Sequence, residues 1–341
     1  MSDLIVRRAA GLYCPAGDFY IDPWRPVERA VITHAHADHA RSGSHHYLAS
    51  ARGEHVLRAR LGGISLQCLP WGEIIDMGGV RLSLHPAGHV LGSAQVRIEH
   101  HGQVWVASGD YKTEADATCD AFEAVRCHTF ITESTFGLPV YQWPAAVQTF
   151  ADINRWWQDN VAAGRASVLF CYSFGKAQRI LAGVDPGIGP ILVHGALEPL
   201  NQAYRASGIP LPEVIQRAEV SDRSIIARAL VLAPPSAASG SWMRGLGDHA
   251  TAFASGWMRL RGARRRRALD RGFVLSDHAD WPGLQSAISA TGAERVIVTH
   301  GQEAVMVRWL REQGLQAESF QTEYGENQNG EPADAHGEPA S

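Results

Sequence analysis

Long apolar runs are missing from this 341-residue sequence. None approaches the ~20 residues a membrane-spanning helix needs, and Met1 to Gly11 holds no apolar core of the signal-peptide kind. The expectation is therefore a cytoplasmic protein with no membrane partner. Cysteine is sparse as well. The five residues Cys14, Cys68, Cys119, Cys127 and Cys171 are scattered, odd in number and never spaced as CxxC. That pattern excludes a disulfide framework and a zinc knuckle. No internal repeat of fixed period is present.

What remains is ordinary in bulk: 45% hydrophobic and 19% charged residues, in a chain long enough for two domains. Two distributions are not ordinary. Sixteen histidines is a high count, and several cluster; imidazole is the commonest metal ligand among side chains. The net charge of −4 is also unevenly spread. Five acids (Glu323, Glu326, Glu331, Asp334, Glu338) lie in the stretch 322–341, and without them −4 becomes +1. Seven arginines fall between Arg259 and Arg271 against the single Asp270, a local basic patch that attracts phosphates.

Period-two patterning predicts strands over Leu4–Arg8, Asp18–Ile21, Arg29–Thr33, Val80–His85, Ala94–Glu99, Val104–Ala107 and Thr129–Thr132, with a helix over Ala51–Leu61. The character changes near Leu138-Pro139. Helical periodicity covers Ala145–Ala163, and strand–helix alternation follows: Ser167–Cys171 then Lys176–Ala182, and Ile191–His194 then Glu198–Ala206. That alternation predicts a parallel sheet. After the arginine run come strand Gly272–Ser276, helix Trp281–Ala290, strand Arg295–Thr299 and helix Glu303–Glu312. The stretch 322–341, rich in Gly, Pro, Glu and Asn, has little to bury and reads as a disordered acidic tail.

The chemistry concentrates at strand ends. The apolar strand ending at Thr33 runs into His34-Ala35-His36-Ala37-Asp38-His39. Imidazole and carboxylate groups separated by alanines can converge on a divalent ion, and N/O sites of this kind suit Zn²⁺, Mn²⁺ or Fe²⁺. Three further segments repeat the arrangement: Gly88-His89, Gly109-Asp110 and Thr299-His300-Gly301, each following an apolar run. Together they supply enough ligands for two ions.

The order HxHxDH, GH, GD, THG resembles the metallo-β-lactamase fold, and Asp38 with Asp110 resembles its two-metal phosphodiesterase branch. The resemblance implies one ion held by His34, His36, His89 and Asp110, and another by Asp38, His39, Asp110 and His300. Asp22, in Tyr20-Ile21-Asp22-Pro23, matches the family's upstream acid that orients metal-bound histidines. Thr132-Glu133-Ser134-Thr135-Phe136-Gly137 and Ser276-Asp277-His278-Ala279-Asp280 resemble two signature motifs of the β-CASP nucleases. Ser173-Phe174-Gly175-Lys176 is similar to a helix start in their inserted domain. Gly11-Leu12-Tyr13-Cys14-Pro15, Gly256-Trp257-Met258-Arg259 and Ser276 to Trp281 are similar to the bacterial ligase-associated DNA exonucleases.

That resemblance implies an α/β chain: an αββα metallo-β-lactamase sandwich (1–140 and 272–321) carrying an inserted α/β β-CASP domain (141–271). It implies two divalent ions, Zn or Mn, and a DNA exonuclease of 5′-to-3′ polarity in DNA repair, functionally associated with a DNA ligase. Asp38, Glu133 and His278 would be catalytic, with His278 protonating the leaving alkoxide and Glu133 holding it. Ser173 and Lys176 at a helix N-terminus, and Arg264, Arg265, Arg266 and Arg267, would grip phosphates; an ordinary helix N-cap is the other reading of Ser173. Competing readings are an RNA-processing nuclease on the same scaffold, a small-ester or thioester hydrolase, and a non-catalytic nucleic-acid binder. His194, His45, His46, His85, His100, His101, His128 and His249 read as structural or surface residues.

Overall fold

A computed structural model describes residues 3–239, 241–260, 262 and 269–324. The chain is a mixed α/β protein, with three sheets among the described residues, and divides into two units. One unit comprises the residues up to Gln142 and those from His278 onward; the other is Trp143–Asp277.

The first unit opens with strands β1 (Val6–Arg8), β2 (Gly11–Cys14), β3 (Phe19–Ile21), β4 (Arg29–Val31), β5 (His46–Ser50) and β6 (Leu66–Leu69). They form one sheet in sequence order, antiparallel from β1 to β3 and parallel from β3 to β6. Helix α1 (Glu54–Leu61) follows β5. The second sheet holds β7 (Ile75–Met77), β8 (Val80–Pro86), β9 (Ala94–His100), β10 (Gln103–Ala107) and β11 (Thr129–Ser134). It is completed by β18 (Arg295–Gly301) and β19 (Gln316–Ser319), which follow the second unit in sequence, in the order β19-β18-β11-β10-β9-β8-β7.

Alternation along the strands makes the layers. Leu12, Ile21, Val31 and Leu48 of the first sheet share a core with Leu82, Val96, Ile131 and Ile297 of the second. The opposite face of the second sheet presents Val106, Phe130, Val296 and Val298 to Leu284 and Ile288 of helix α6 (Trp281–Thr291) and to Met306 and Leu310 of helix α7 (Glu303–Glu312). Each such fully buried side chain stabilises by about 1.5–3 kcal/mol. Helix α6 starts where Asp280 accepts from Gly283 N at 2.9 Å, with Pro282 in its first turn, and stops at the left-handed Gly292.

The second unit carries β12 (Ala166–Phe170), β13 (Ile191–Val193), β14 (Ile215–Gln216), β15 (Leu230–Ala233), β16 (His249–Ala254) and β17 (Arg271–Phe273) in an all-parallel sheet ordered β14-β13-β15-β12-β16-β17. Helices α2 (Ala146–Ala162), α3 (Lys176–Gly183), α4 (Glu198–Ala206) and the short α5 (Arg223–Ile226) lie between its strands in sequence or flank them. Leu169 and Leu232 pack with Ile153, Trp157 and Ile180 on one face, while Val168, Phe170 and Val231 face the other. Burial on both faces explains runs such as Leu230-Val231-Leu232-Ala233, which do not alternate.

The structure corrects several expectations. β17 ends at Phe273, short of the expected Ser276, and pairs with β16; the second unit runs to Asp277. Thr322 and Tyr324, assigned from composition to the tail, are tied to the fold: Thr322 Oγ1 donates to Thr299 O at 2.7 Å and the hydroxyl of the half-buried Tyr324 lies 3.1 Å from Ile21 O of β3. Residues 325–341, the rest of that expected tail, lie outside the described residues, as do Arg264 to Arg267. Among the described residues no helix is long and apolar enough to cross a membrane.

Candidate metal centre

Four loops at strand ends of the first unit deliver one cluster. The loop after β4 brings His34, His36, Asp38 and His39; the loop after β8 brings His89; the loop after β10 brings Asp110; β18 brings His300. Two glycines make the approach possible. Gly109 has φ +55°, and a Cβ there would sit 2.6 Å from the Thr33 side chain; Gly88 has φ +74°, and its Cβ would lie 2.2 Å from Lys112 O.

Asp110 is the hub and is only 5% exposed. Its Oδ2 lies 3.5 Å from His34 Nε2, 3.6 Å from His39 Nε2 and 3.8 Å from His89 Nε2, while its Oδ1 lies 3.1 Å from His300 Nε2. His36 Nδ1 is 3.0 Å from His89 Nε2. Asp38 Oδ2 is 3.6 Å from His39 Nε2. Two overlapping sets result that could hold metal ions: His34, His36, His89 and Asp110, and His39, Asp110 and His300, with Asp38 beside the second.

The hydrogen bonds on the far side of each ring decide which nitrogen faces inward. His39 Nδ1 lies 2.7 Å from Asp22 Oδ2, so it carries the proton and donates. The Thr33 hydroxyl donates to Asp22 and lies 3.1 Å from His34 Nδ1, so there it accepts. The Thr299 hydroxyl donates to Thr132 O at 3.3 Å and lies 3.0 Å from His300 Nδ1, with the same consequence. All three rings therefore turn Nε2 toward Asp110. The Nε2 atoms of His34 and His39 are buried without a hydrogen-bond partner. Orphaned buried polar atoms cost free energy unless something binds them, and a divalent cation, which would displace any proton held there, is the group this donor set fits.

Charge in the cluster is strongly coupled. Burial lowers the basicity of His34 well below that of a free imidazole, helped by the neighbouring His39. Burial acts on His39 in the same direction, yet the carboxylates of Asp110, Asp38 and Asp22 outweigh it and push its pKa up to about 10. His300 is raised for the same reason, through Asp110. Burial opposes ionisation of Asp110, but His39 and His300 hold its carboxyl well below the usual range. The cluster is thus a set of carboxylates competing for cations.

Asp22 takes a left-handed backbone conformation (φ +42°), uncommon for a residue with a side chain. This aims its carboxylate inward, where it also accepts from Thr33 N at 2.7 Å. Beside the cluster, Glu133 at the end of β11 is 1% exposed, and both its oxygens lie 3.0 Å from His278 Nδ1. Tyr111 N donates to Glu133 Oε1 at 2.8 Å, and Ala279 N donates to Tyr111 O at 2.7 Å, which ties the His278 loop to the Asp110 loop. The His278 and His89 rings are 4.5 Å apart, and Asp110, Glu133 and His278 themselves form a further compact set of donor atoms.

Of the proposed phosphate-gripping residues, Ser173 and Lys176 belong to the second unit. Lys176 begins α3 in the second unit, but its Nζ is enclosed 3.1 Å from Asp277 Oδ2, and Arg179 lies 3.1 Å from Asp277 Oδ1. The N-cap of α3 is Gly175, not Ser173; Ser173 contributes its carbonyl to Gln178 Nε2 at 3.0 Å. Of the histidines set aside, His85 is satisfied by Ser83 and Glu123, His128 accepts from Val104 N, and His194 caps a turn by accepting from Ala196 N.

One contributor escaped sequence reasoning. The Tyr324 ring stacks on His39 with centroids 4.5 Å apart and planes at 15°. Its only signal was being the last aromatic residue, before a stretch whose hydrophobic residues are three alanines.

No family model matches the chain. A probable DNA ligase from Opitutus terrae is 32% identical over 315 residues, covering 92% of this chain. The chain spans about 30% of the length of that curated relative. A crystal structure of a protein of unknown function from Enterococcus faecalis is similar over 87% of this chain and 80% of its own, with a TM-score of 0.59 at 12% identity. At that identity the likeness concerns the fold alone.

Proposed function

We propose that this chain is a two-metal phosphodiesterase that acts as a DNA exonuclease, built on a metallo-β-lactamase sandwich with an inserted β-CASP domain. The observation that carries the reading is the pair of histidine sets converging on the two oxygens of Asp110, with the Glu133–His278 pair directly beside them. His34, His36, His89 and Asp110 would hold one divalent ion; His39, Asp38, His300 and Asp110 would hold the other. Two such ions clamp a phosphate and supply a nucleophilic oxygen near neutral pH.

The protein's own residues account for the rest. Asp22, Thr33 and Thr299 fix the tautomers that point Nε2 atoms inward. Glu133 accepts the Nδ1 proton of His278, which makes Nε2 the nitrogen that exchanges a proton with substrate. Protonated there, His278 is suited to deliver that proton to the departing sugar oxygen, because a poorly stabilised alkoxide is the costly product of phosphodiester cleavage. A thioester hydrolase has less need of this acid, since a thiolate is easier to expel than an alkoxide. The name of the Opitutus relative supports DNA as the polymer: a ligase needs ends with defined termini, and an exonuclease prepares them.

End-labelled single-stranded and duplex DNA, with matched RNA, incubated with Mn²⁺ or Zn²⁺, tests the proposal. Expected are DNA products shortened from the 5′ end, absent in Asp110→Ala and His278→Ala. Equal activity of those variants would overturn the phosphodiesterase reading, and faster cleavage of RNA would overturn the choice of DNA.

A further inference from the structure

We infer that Tyr324 is a positioning residue for the His39–His300 half of the metal centre, an inference that rests on the two-metal reading above. After β19 the chain does not leave the sheet. Phe320 N donates to Val298 O at 2.9 Å and Thr322 Oγ1 donates to Thr299 O at 2.7 Å, so the segment follows β18 toward His300. It is also held from outside: Arg7 Nε donates to Gln321 O, and Arg25 pairs with Glu323 at 3.3 Å.

This strap ends with Tyr324 over the metal-ligand histidines. Its ring lies flat on His39, meets the His300 ring edge-on at 6.0 Å, and is itself backed by Trp24 at 5.5 Å. Its hydroxyl reaches past them to donate to Asp22 O at 2.7 Å and lies 3.1 Å from Ile21 O. Asp22 is the residue in the left-handed conformation whose carboxylate orients His39. One side chain therefore braces His39 from two directions, by stacking on the ring and by holding the backbone of the acid that fixes the ring's tautomer. The set around His34, His36 and His89 has no recorded ring contact with Tyr324 among the described residues.

Outer groups of this kind set ligand orientation and solvent access, and losing one typically lowers metal affinity about 10–100-fold. The asymmetry of the contacts makes the expected effect asymmetric. Co²⁺ titrations of the full chain, read by visible absorption and by competition with a chromophoric chelator, should resolve two binding steps in the parent. Tyr324→Ala should weaken one step about 10–100-fold and leave the other nearly unchanged, with an altered Co²⁺ spectrum for the weakened step. Tyr324→Phe keeps the stacked ring and loses the hydroxyl, and should weaken the same step by a smaller factor.

Two steps unchanged in both variants, or weakened equally, overturn the inference while leaving the two-metal reading intact. A parent that binds no Co²⁺ overturns both. If Tyr324→Ala does not fold, Tyr324→Phe decides alone: a selective loss supports the role, and parental binding refutes it.

Discussion

Replacing Glu133 by glutamine removes one charge and one acceptor from a buried position whose every contact is a donor. In the parent, the carboxylate receives His278 Nδ1–H at 3.0 Å and Tyr111 N–H at 2.8 Å. Glutamine keeps the shape but turns one oxygen into an NH₂ group, which must face a donor unless the imidazole changes tautomer. Losing a charge-assisted hydrogen bond costs about 1.5–3 kcal/mol. The inverted tautomer would place the proton on Nε2 and the lone pair toward the amide, so that the ring no longer cycles a proton with substrate from a carboxylate-supported state. General acid–base catalysis is worth about 10²–10⁴-fold, and Glu133→Gln is expected to lose a comparable factor in single-turnover cleavage of end-labelled single-stranded DNA. Metal content by atomic absorption should stay at the parental value. Cleavage within twofold of the parent would refute the proton-transfer role. Loss of bound metal would instead assign Glu133 as a ligand, since it shares a compact donor set with Asp110 and His278.

Metal affinity should rise with pH. The metal-free His39 is protonated up to about pH 10, and His300 is raised too, so an ion binding at their Nε2 atoms must expel protons. Between pH 6 and 8 the apparent affinity should increase about tenfold per pH unit for each proton released. Chelator competition at three pH values checks this, and a flat profile would contradict the charge pattern of the cluster. Gly109→Ala should lose metal and about 1–3 kcal/mol of stability, because a left-handed residue with a Cβ 2.6 Å from Thr33 must displace the strand end that carries His34. Differential scanning fluorimetry with and without Zn²⁺ would register both effects, and an unchanged midpoint would count against the packing argument.

Much of the candidate site could be read before the structure because its residues share one local grammar. Each follows an apolar strand and is flanked by glycine or alanine, which leaves room for close approach; His34, His36, His89, Asp110 and His300 all obey it, and all converge. Helices with strong period, such as Glu198–Ala206 and Glu303–Glu312, were legible to the residue. Other elements were not. β16 reads His249-Ala-Thr-Ala-Phe-Ala254, with side chains too small to show which face is buried. β19 is an edge strand with polar, partly exposed residues that pairs with β18 on one side only, so its four residues show little alternation. Tyr324 belongs to the same class. It lies in a segment whose composition says nothing, and only the three-dimensional return of the chain gives it a role.

The order of strands in the second sheet has a kinetic consequence. β18, which carries His300, is an interior strand between β11 and β19, yet β11 and β18 are separated by about 160 residues that include the whole second unit. Closing a disordered loop of that length costs about 4–5 kcal/mol of chain entropy, so this pairing forms late. A chain still being synthesised holds the HAHADH loop long before it holds His278 or His300. Under the proposed function, the unfinished polypeptide has ligands but no complete centre and no proton donor. The hydrolytic capacity comes into being only with the closing of the sheet, when the molecule that must control it is already folded.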